Sequence, residues 1–408
     1  MRARDPRPRQ RHQRRRAIRG FPSGPYRFDR TTWRQRRGLR SCGDSSGARA
    51  IRWYRRHGTI ATVIKHIIQR WINPSPSDWT GPPVVHTASG KLRRIGIELE
   101  FSGLGIEQIA RIVKDVVGGS ISPISPYECD VDDTPHGTYH IELDSSYVKR
   151  LGRHDDDKPD DGGLFSFERL SDEVIGAIAK QIVPFEIVTP PIPMPELGRL
   201  NDLVSRLREA GAQGTHHSPI YAFGLHMNPE LPDTEVATLL GYLQAFVCLF
   251  PWLARESKVD WSRRVTPYID RFPSSYTRLI TAPDYAPDLA GLIDDYLDHN
   301  ATRNRALDML PVFGEVDWDR IDAALDTHLV KPRPALHYRL PNCLIDEAGW
   351  TLDEPWQHWL QVEHLAHDEA RRQAMMHAFR QHPDDPVSKL FDVWARDCEQ
   401  WLLPLARA

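Results

Sequence analysis

Short stretches in which apolar and polar residues alternate predict a β-sheet with one apolar face. In the first stretch, residues 95–101, every odd position is apolar and the even positions include Glu98 and Glu100. Successive side chains of a strand point to opposite faces, so the two carboxylates share the polar face, about 7 Å apart along the strand. We therefore predict a strand whose polar face carries two acidic groups.

Four further stretches show the same alternation, around residues 139–143, 185–188, 225–228 and 337–340. Their polar positions are His140, Glu142 and Asp144 in the second strand, Glu186 in the third, His226 and Asn228 in the fourth, and His337 and Arg339 in the fifth. A polar face on an antiparallel sheet often only meets solvent, so no single strand requires a chemical role.

The five strands taken together indicate a cation site. Carboxylates gathered on one face repel each other unless a cation lies between them. Oxygen ligands of this kind suit Mg²⁺ or Mn²⁺, and phosphate is a natural co-ligand beside His226 and Arg339. The five carboxylates on this face are Glu98, Glu100, Glu142, Asp144 and Glu186.

Longer helical patterns lie between and after these strands, which makes the predicted fold class α+β. The predicted helices are 106–117, 172–183, 195–210, 234–250, 287–299, 303–310, 319–329 and several pieces of 350–403, with Thr234 as an N-cap. The apolar run 239–254 is shorter than a membrane-spanning helix needs and contains Gln244 and Pro251, so we predict a buried core helix.

The N-terminal segment differs from the rest of the chain in composition. Residues 1–56 contain 19 Arg, 3 Asp and no Lys or Glu, a net charge of +16, with few aliphatic residues. Such a segment buries too little apolar surface to offset the entropy of ordering. It is open to three interpretations: a nucleic-acid-binding arm, an organelle transit peptide, or an extension without function.

These patterns divide the chain into three parts. We predict a disordered Arg-rich tail or linker over 1–74, a catalytic domain over 75–348, and a helical extension over 349–408 packed on that domain. The whole chain carries a net charge of −2, so the part after the tail is acidic. Phosphate chemistry there needs a bridging cation, and this acidity argues against a nucleic-acid-binding core.

The cysteines and the hydropathy indicate the compartment. Five cysteines are scattered without a CxxC pair, which favours neither a disulfide framework nor a zinc cluster. The mean hydropathy of −0.50 is typical of a soluble protein. We therefore expect a cytoplasmic protein that does not enter a membrane.

Five motifs resemble those of a known family. The motifs are Gly96–Phe101, Glu142–Ser146, Phe185–Pro191, Phe223–Asn228 and Tyr338–Pro341. In this order, over about residues 92–347, they resemble the amidoligase family of bacteria and fungi. That family is similar to the carboxylate–amine ligases, which include glutamine synthetase and glutamate–cysteine ligase.

The resemblance implies a glutamine-synthetase-like fold, in which a curved antiparallel sheet holds ATP and two or three divalent metals on its concave face. It implies that a carboxylate is phosphorylated and the acyl phosphate is then attacked by an amine. The implied cofactors are ATP and Mg²⁺ or Mn²⁺. The implied partners are small-molecule, peptide or protein carboxylates and amines, and a glutamine amidotransferase is a candidate source of ammonia.

The resemblance also implies residue roles by position. Metal ligands would be Glu98, Glu100, Glu186 and Glu142. Asp144 would hold metal or the amine, and His226 and Asn228 would contact the nucleotide. Arg339 would neutralise the transferring phosphate, and Arg263 and Arg264 would grip substrate carboxylate or phosphates, because a guanidinium binds oxyanions bidentately.

Two departures from the family pattern keep other functions open. His226-Met227-Asn228 stands where relatives often have His-Val-His, and His337 stands where relatives often have Glu before x-Arg. The alternatives are a metal-dependent hydrolase that uses the same carboxylates with His226, and an inactive ligase-like module that binds a peptide or partner.

Overall fold

The computed structural model describes residues 81–143, 184–215, 223–257, 270–325, 330–382 and 393–404. The predicted tail over 1–74 and the predicted helix over 172–183 lie outside these residues. The boundaries of the three predicted parts stay a prediction.

Nine strands of the described residues form one antiparallel sheet, in the order β2-β3-β4-β5-β1-β7-β9-β8, with β6 paired to β1. The sheet and the helices around it make the fold α+β, as the sequence predicts. The strands are β1 (Arg94–Phe101), β2 (Ser120–Ser125), β3 (Glu128–Thr134), β4 (Gly137–Leu143), β5 (Phe185–Val188), β6 (Ile192–Pro193), β7 (Leu225–Pro229), β8 (Leu307–Asp308) and β9 (His337–Tyr338).

Ten α-helices are present in the described part of the chain. They are α1 (Ile106–Val117), α2 (Leu200–Glu209), α3 (Val236–Glu256), α4 (Ser274–Ile280), α5 (Leu289–Asn300), α6 (Leu310–Val316), α7 (Trp318–Ala324), α8 (Asp353–Ala366), α9 (Glu369–Gln381) and α10 (Val393–Asp397). Two 3₁₀ helices, Met194–Arg199 and Cys398–Trp401, precede α2 and follow α10.

The five predicted strands are all present, and their apolar positions face the core. On β1 the side chains of Ile95, Ile97, Leu99 and Phe101 are fully buried. β1 is central because it pairs with β5 on one side and with β7 on the other. Its apolar face therefore lies in the core and its polar face carries the two glutamates.

Helix α1 has the predicted bounds and follows from local sequence. Its buried side is formed by Ile109, Ala110 and Val113, spaced for one face of a helix. It ends at Gly118, whose φ of 83° is a left-handed conformation that glycine adopts without steric cost.

Helix α3 is the predicted core helix, extended through Pro251 to Glu256. Among the described residues it is the one helix long and apolar enough to cross a membrane, and 67% of its most apolar window is buried inside the protein. Its burial against the sheet and α8 accounts for its apolar composition.

Two local predictions are wrong. A helix was predicted over 303–310, but Leu307 and Asp308 form β8 and pair with β9, and the helix begins only at Leu310. Backbone pairing to a distant strand here outweighs local helical preference. Thr234 is not the N-cap of α3, because that position belongs to Glu235, whose side chain makes no capping bond.

A buried ion pair joins the beginning of β1 to α8. Arg93 donates to both carboxylate oxygens of Glu363, at 2.8 and 2.9 Å, and both side chains are fully buried. Tyr242 and Trp359 also donate to Glu363. Burial alone raises the pKa of Glu363, but Arg93 beside it holds the pKa below its usual value. The carboxylate is therefore charged and fully hydrogen-bonded.

Removing one partner of this pair is expected to cost stability. Glu363→Ala leaves Arg93 buried without its counter-charge, so we expect the free energy of unfolding to fall by about 3–5 kcal/mol in chemical denaturation. Glu399→Ala is the control, because Glu399 pairs with Arg255 at the surface and its loss should cost at most about 1 kcal/mol. Equal losses in the two variants would contradict the structural role of the pair.

Candidate active site

Strand register brings the predicted acidic residues together. Glu98 lies opposite His226 on β7, and Glu100 lies opposite Glu186 on β5. Glu186 in turn lies opposite Glu142 on β4. Directly opposed residues have Cβ atoms about 4.5–5.5 Å apart, so these side chains are neighbours on one polar face.

Glu98 is held by hydrogen-bond donors on both oxygens. His226 Nδ1 lies 2.8 Å from Oε2, and Asn228 Nδ2 donates to Oε1 at 2.8 Å. His337 Nε2 lies 3.5 Å from Oε2. Burial alone raises the pKa of Glu98, but His337 and His226 hold this pKa well below its usual range. Glu98 is therefore an ionised carboxylate in a largely buried position.

The protonation of His337 follows from its other neighbour. Arg339 lies 3.0 Å from His337 Nδ1, and a guanidinium can only donate. Burial, followed by the nearby charge of Arg339, lowers the pKa of His337 well below its usual value. The neutral ring accepts at Nδ1, so its proton is on Nε2 and faces Glu98.

His226 has the opposite arrangement. Its Nδ1 faces the carboxylate of Glu98, so in the neutral ring that nitrogen carries the proton and Nε2 carries the lone pair. That nitrogen lies 3.5 Å from Glu100 Oε1. A histidine whose second nitrogen donates to a carboxylate is the usual form of a metal ligand, so His226 presents a ligand atom toward Glu100.

Two sets of three side chains could hold a metal ion among the described residues. Ligand atoms of Glu100, Glu186 and His226 lie within 4.8 Å of one another, as do those of Glu98, His226 and His337. In the second set His337 Nε2 carries a proton and Glu98 already accepts on both oxygens. The first set contains two carboxylates and His226 Nε2, the ring nitrogen that faces away from Glu98, so it fits a divalent cation better.

The carboxylate row is longer than the sequence predicts. Glu128 on β3 lies opposite Glu142, so four glutamates cross β3, β4, β5 and β1 in register. Neither set of three potential metal ligands includes Glu142. Glu128 was missed because no strand was predicted there, although Glu128-Cys129-Asp130-Val131-Asp132 alternates as a strand does.

Two arginines lie beside the residues that surround Glu98. Arg339 Nη2 lies 3.3 Å from the fully buried Asp308 on β8, and Arg333 donates to Asn228 Oδ1 at 3.0 Å. Burial raises the pKa of Asp308, while Arg339 and the hydrogen bond from Leu310 N–H act in the opposite direction. Asp308 and Arg333 were both missed: the first was assigned to a helix and the second has no motif around it.

Three predicted site residues lie outside the described part of the chain. They are Asp144, Arg263 and Arg264, and their roles stay predictions. The structure brings the other candidates together around β1: Glu98, Glu100, Glu142, Glu186, His226, Asn228, His337 and Arg339.

The lowered pKa of His337 predicts a pH dependence of stability. In the unfolded chain a histidine takes up a proton near pH 6.5, but the folded protein disfavours the charged ring. Its contribution is therefore present above about pH 6.5 and is lost as the pH falls below that value. In EDTA, His337→Asn should reduce the slope of unfolding free energy against pH between 6.5 and 5 by up to about 1.4 kcal/mol per pH unit.

The control for this measurement is His377→Asn, an exposed position on α9 that leaves the contribution of His337 in place. Denaturation curves at several pH values give the two slopes. Identical slopes for wild type and His337→Asn would contradict a neutral buried ring.

Comparison with known proteins agrees with the motifs. The profile of a family described as putative amidoligase enzyme matches residues 91–361, about two-thirds of the chain. No curated protein and no solved structure matches the chain. The matched range includes all nine strands of the described sheet and every residue of the cluster around Glu98. On this match, the chain belongs to the amidoligase family.

Proposed function

We propose that the protein is an ATP-dependent carboxylate–amine ligase that works with Mg²⁺ or Mn²⁺ on a glutamine-synthetase-like sheet. The observation that carries the proposal is the group Glu100, Glu186 and His226, which offers three convergent ligand atoms on the polar face of β1. Family membership supports the ligase class.

The residues divide into ligands and supports. Glu100 and Glu186 would hold the cation through oxygen, and His226 through Nε2. Glu98 orients the His226 ring through its contact with Nδ1, and Asn228 holds Glu98 by donating to its other oxygen. Glu100 is itself fixed, because Gly224 N–H donates to its second oxygen at 2.6 Å. Supports of this kind define the direction of each ligand.

The reaction requires an anionic carboxylate to approach an acidic face. ATP with a divalent cation would supply the phosphoryl group that turns the substrate carboxylate into an acyl phosphate, which has a good leaving group. Arg339, placed by Asp308 and His337, offers positive charge beside that position. We assign to Asp144 the role of accepting a proton from the amine, and ammonia from a glutamine amidotransferase partner is a candidate amine source.

Metal-dependent binding of ATP tests the nucleotide part of the proposal. In calorimetry of the full chain with Mg²⁺ or Mn²⁺, we expect Glu100→Gln and Glu186→Gln to abolish measurable binding, because each removes a charged ligand. Glu98→Gln should weaken metal affinity by about 10–100-fold, the effect of losing a residue that supports a metal ligand.

Glu107→Gln is the matched control, since Glu107 is exposed on α1 away from the sheet face. It should bind as wild type does. Absence of ATP binding with either metal, in a protein whose fold is intact, would overturn the ligase proposal and leave a hydrolase or a binding module.

Formation of an acyl phosphate separates a ligase from a hydrolase. We expect the full chain, given ATP, Mg²⁺ and hydroxylamine with a panel of amino acids and peptides, to form a hydroxamate with ADP and phosphate in equal amounts. Hydroxylamine takes the acyl group and phosphate leaves, so the atoms balance. Hydrolysis of a panel compound without ATP consumption would instead identify a hydrolase. Glu107→Gln again serves as the active control and Glu100→Gln as the inactive variant.

A further inference from the structure

Three arginines from separate segments meet beside Glu98. Arg333 precedes β9, and its backbone N–H donates to Pro311 O at 3.0 Å. Arg339 follows β9, and its N–H donates to Ala306 O at 2.9 Å, which draws the segment containing Arg303 alongside. Arg303 and Arg333 are partly buried. No sequence pattern groups these arginines, because they come together only through the pairing of β8 with β9.

The positive charges of these arginines act on one another. Burial lowers the pKa of Arg303, and the nearby charge of Arg339 lowers it further. Burial likewise lowers the pKa of Arg333, with Glu98 acting in the opposite direction. A guanidinium nevertheless stays protonated in proteins. The fold therefore holds three like charges in a partly buried place, which is costly unless anions balance them.

The two nearby carboxylates do not satisfy all three. Glu98 accepts from His226 and Asn228, and Asp308 accepts from Arg339 and from Leu310 N–H. In the part of the chain that the structure describes, no hydrogen bond or ion pair is found for Arg303. Among the described residues, its guanidinium is therefore the one of the three without a protein hydrogen-bond partner, and it carries five donors.

We propose that Arg303 and Arg333, together with Arg339, form a binding site for an oxyanion of the ligand, a phosphate or a carboxylate. The assignment rests on the proposed function, because it places this anion beside the cation held by Glu100, Glu186 and His226. Arg333 reaches the cluster through Asn228, which contacts Glu98, so the oxyanion lies one side chain away from the residues that position His226. Phosphate of the nucleotide and carboxylate of the acid substrate share this chemistry.

Site-specific labelling tests the proposal and is insensitive to the 19 arginines of residues 1–56. The full chain in EDTA is treated with phenylglyoxal, and modification of each arginine is measured by peptide mass spectrometry, with no addition, with pyrophosphate, or with glutarate. We expect Arg303 and Arg333 to be protected, while Arg206, exposed on α2, is modified equally in all three samples.

The outcomes are distinct. Protection by pyrophosphate alone assigns the site to nucleotide phosphate, and protection by glutarate alone assigns it to the acid substrate. Protection by both shows that the site accepts either oxyanion. Each of these three results supports the proposed site. Arg303 modified at the same rate in all three samples would overturn it. Because EDTA removes the cation, this result is independent of whether Glu100→Gln abolishes ATP binding.

Affinity measurements provide the second test. For the protecting anion, we expect Arg303→Ala to weaken binding about tenfold or more, the usual effect of losing a charge-assisted hydrogen bond. Arg303→Lys should restore only part of the anion affinity, because it keeps the charge and loses the planar guanidinium. Arg206→Ala should bind as wild type does. Manganese binding, followed by paramagnetic resonance, should stay unchanged in Arg303→Ala, since that residue is not a cation ligand. Unchanged anion affinity in Arg303→Ala would contradict the proposal.

Discussion

The register of β1 between β5 and β7 is the constraint on which the rest of the site depends. It sets Glu98 against His226 and Glu100 against Glu186. A shift by one residue would turn both glutamates toward the core and expose the apolar face. Four fully buried apolar side chains on β1 oppose that shift. The same hydrophobic effect that forms the core thus fixes the position of the acidic groups.

Hydrogen bonding then separates the roles of residues that look equivalent. Glu98 and Glu100 lie two positions apart on one face, yet Glu98 accepts from His226 and Asn228 and has His337 Nε2 3.5 Å from one oxygen. The nitrogen donors therefore lie on the Glu98 side of the cluster. Nitrogen atoms of His226 and Asn228 contact Glu98, and the second ring nitrogen of His226 turns toward Glu100. Arg339, which can only donate, lies beside His337 Nδ1, so the proton of the neutral His337 ring is on Nε2.

The helices contribute through contacts that hold the sheet in place. The buried pair of Arg93 and Glu363 ties α8 to the residue immediately before β1. Burying two charges is expensive, and complete hydrogen bonding by Tyr242 and Trp359 offsets part of that cost. Glu363 lies just beyond residues 91–361, which match the family profile. The ion pair therefore connects a residue outside the matched range to the beginning of the strand that carries the site.

The sequence by itself determined the five alternating strands, helix α1, the buried character of α3, and the acidic polar face. These features depend on local periodicity, which a single chain displays directly. The tertiary structure alone decided β8, the joining of Glu128 to the carboxylate row, and the meeting of Arg303 with Arg333. Strand β8 is two residues long, too short for a period to be read, and it pairs with β9. Their pairing joins segments some thirty residues apart, so the resulting contacts are set by the packed fold and by no local pattern.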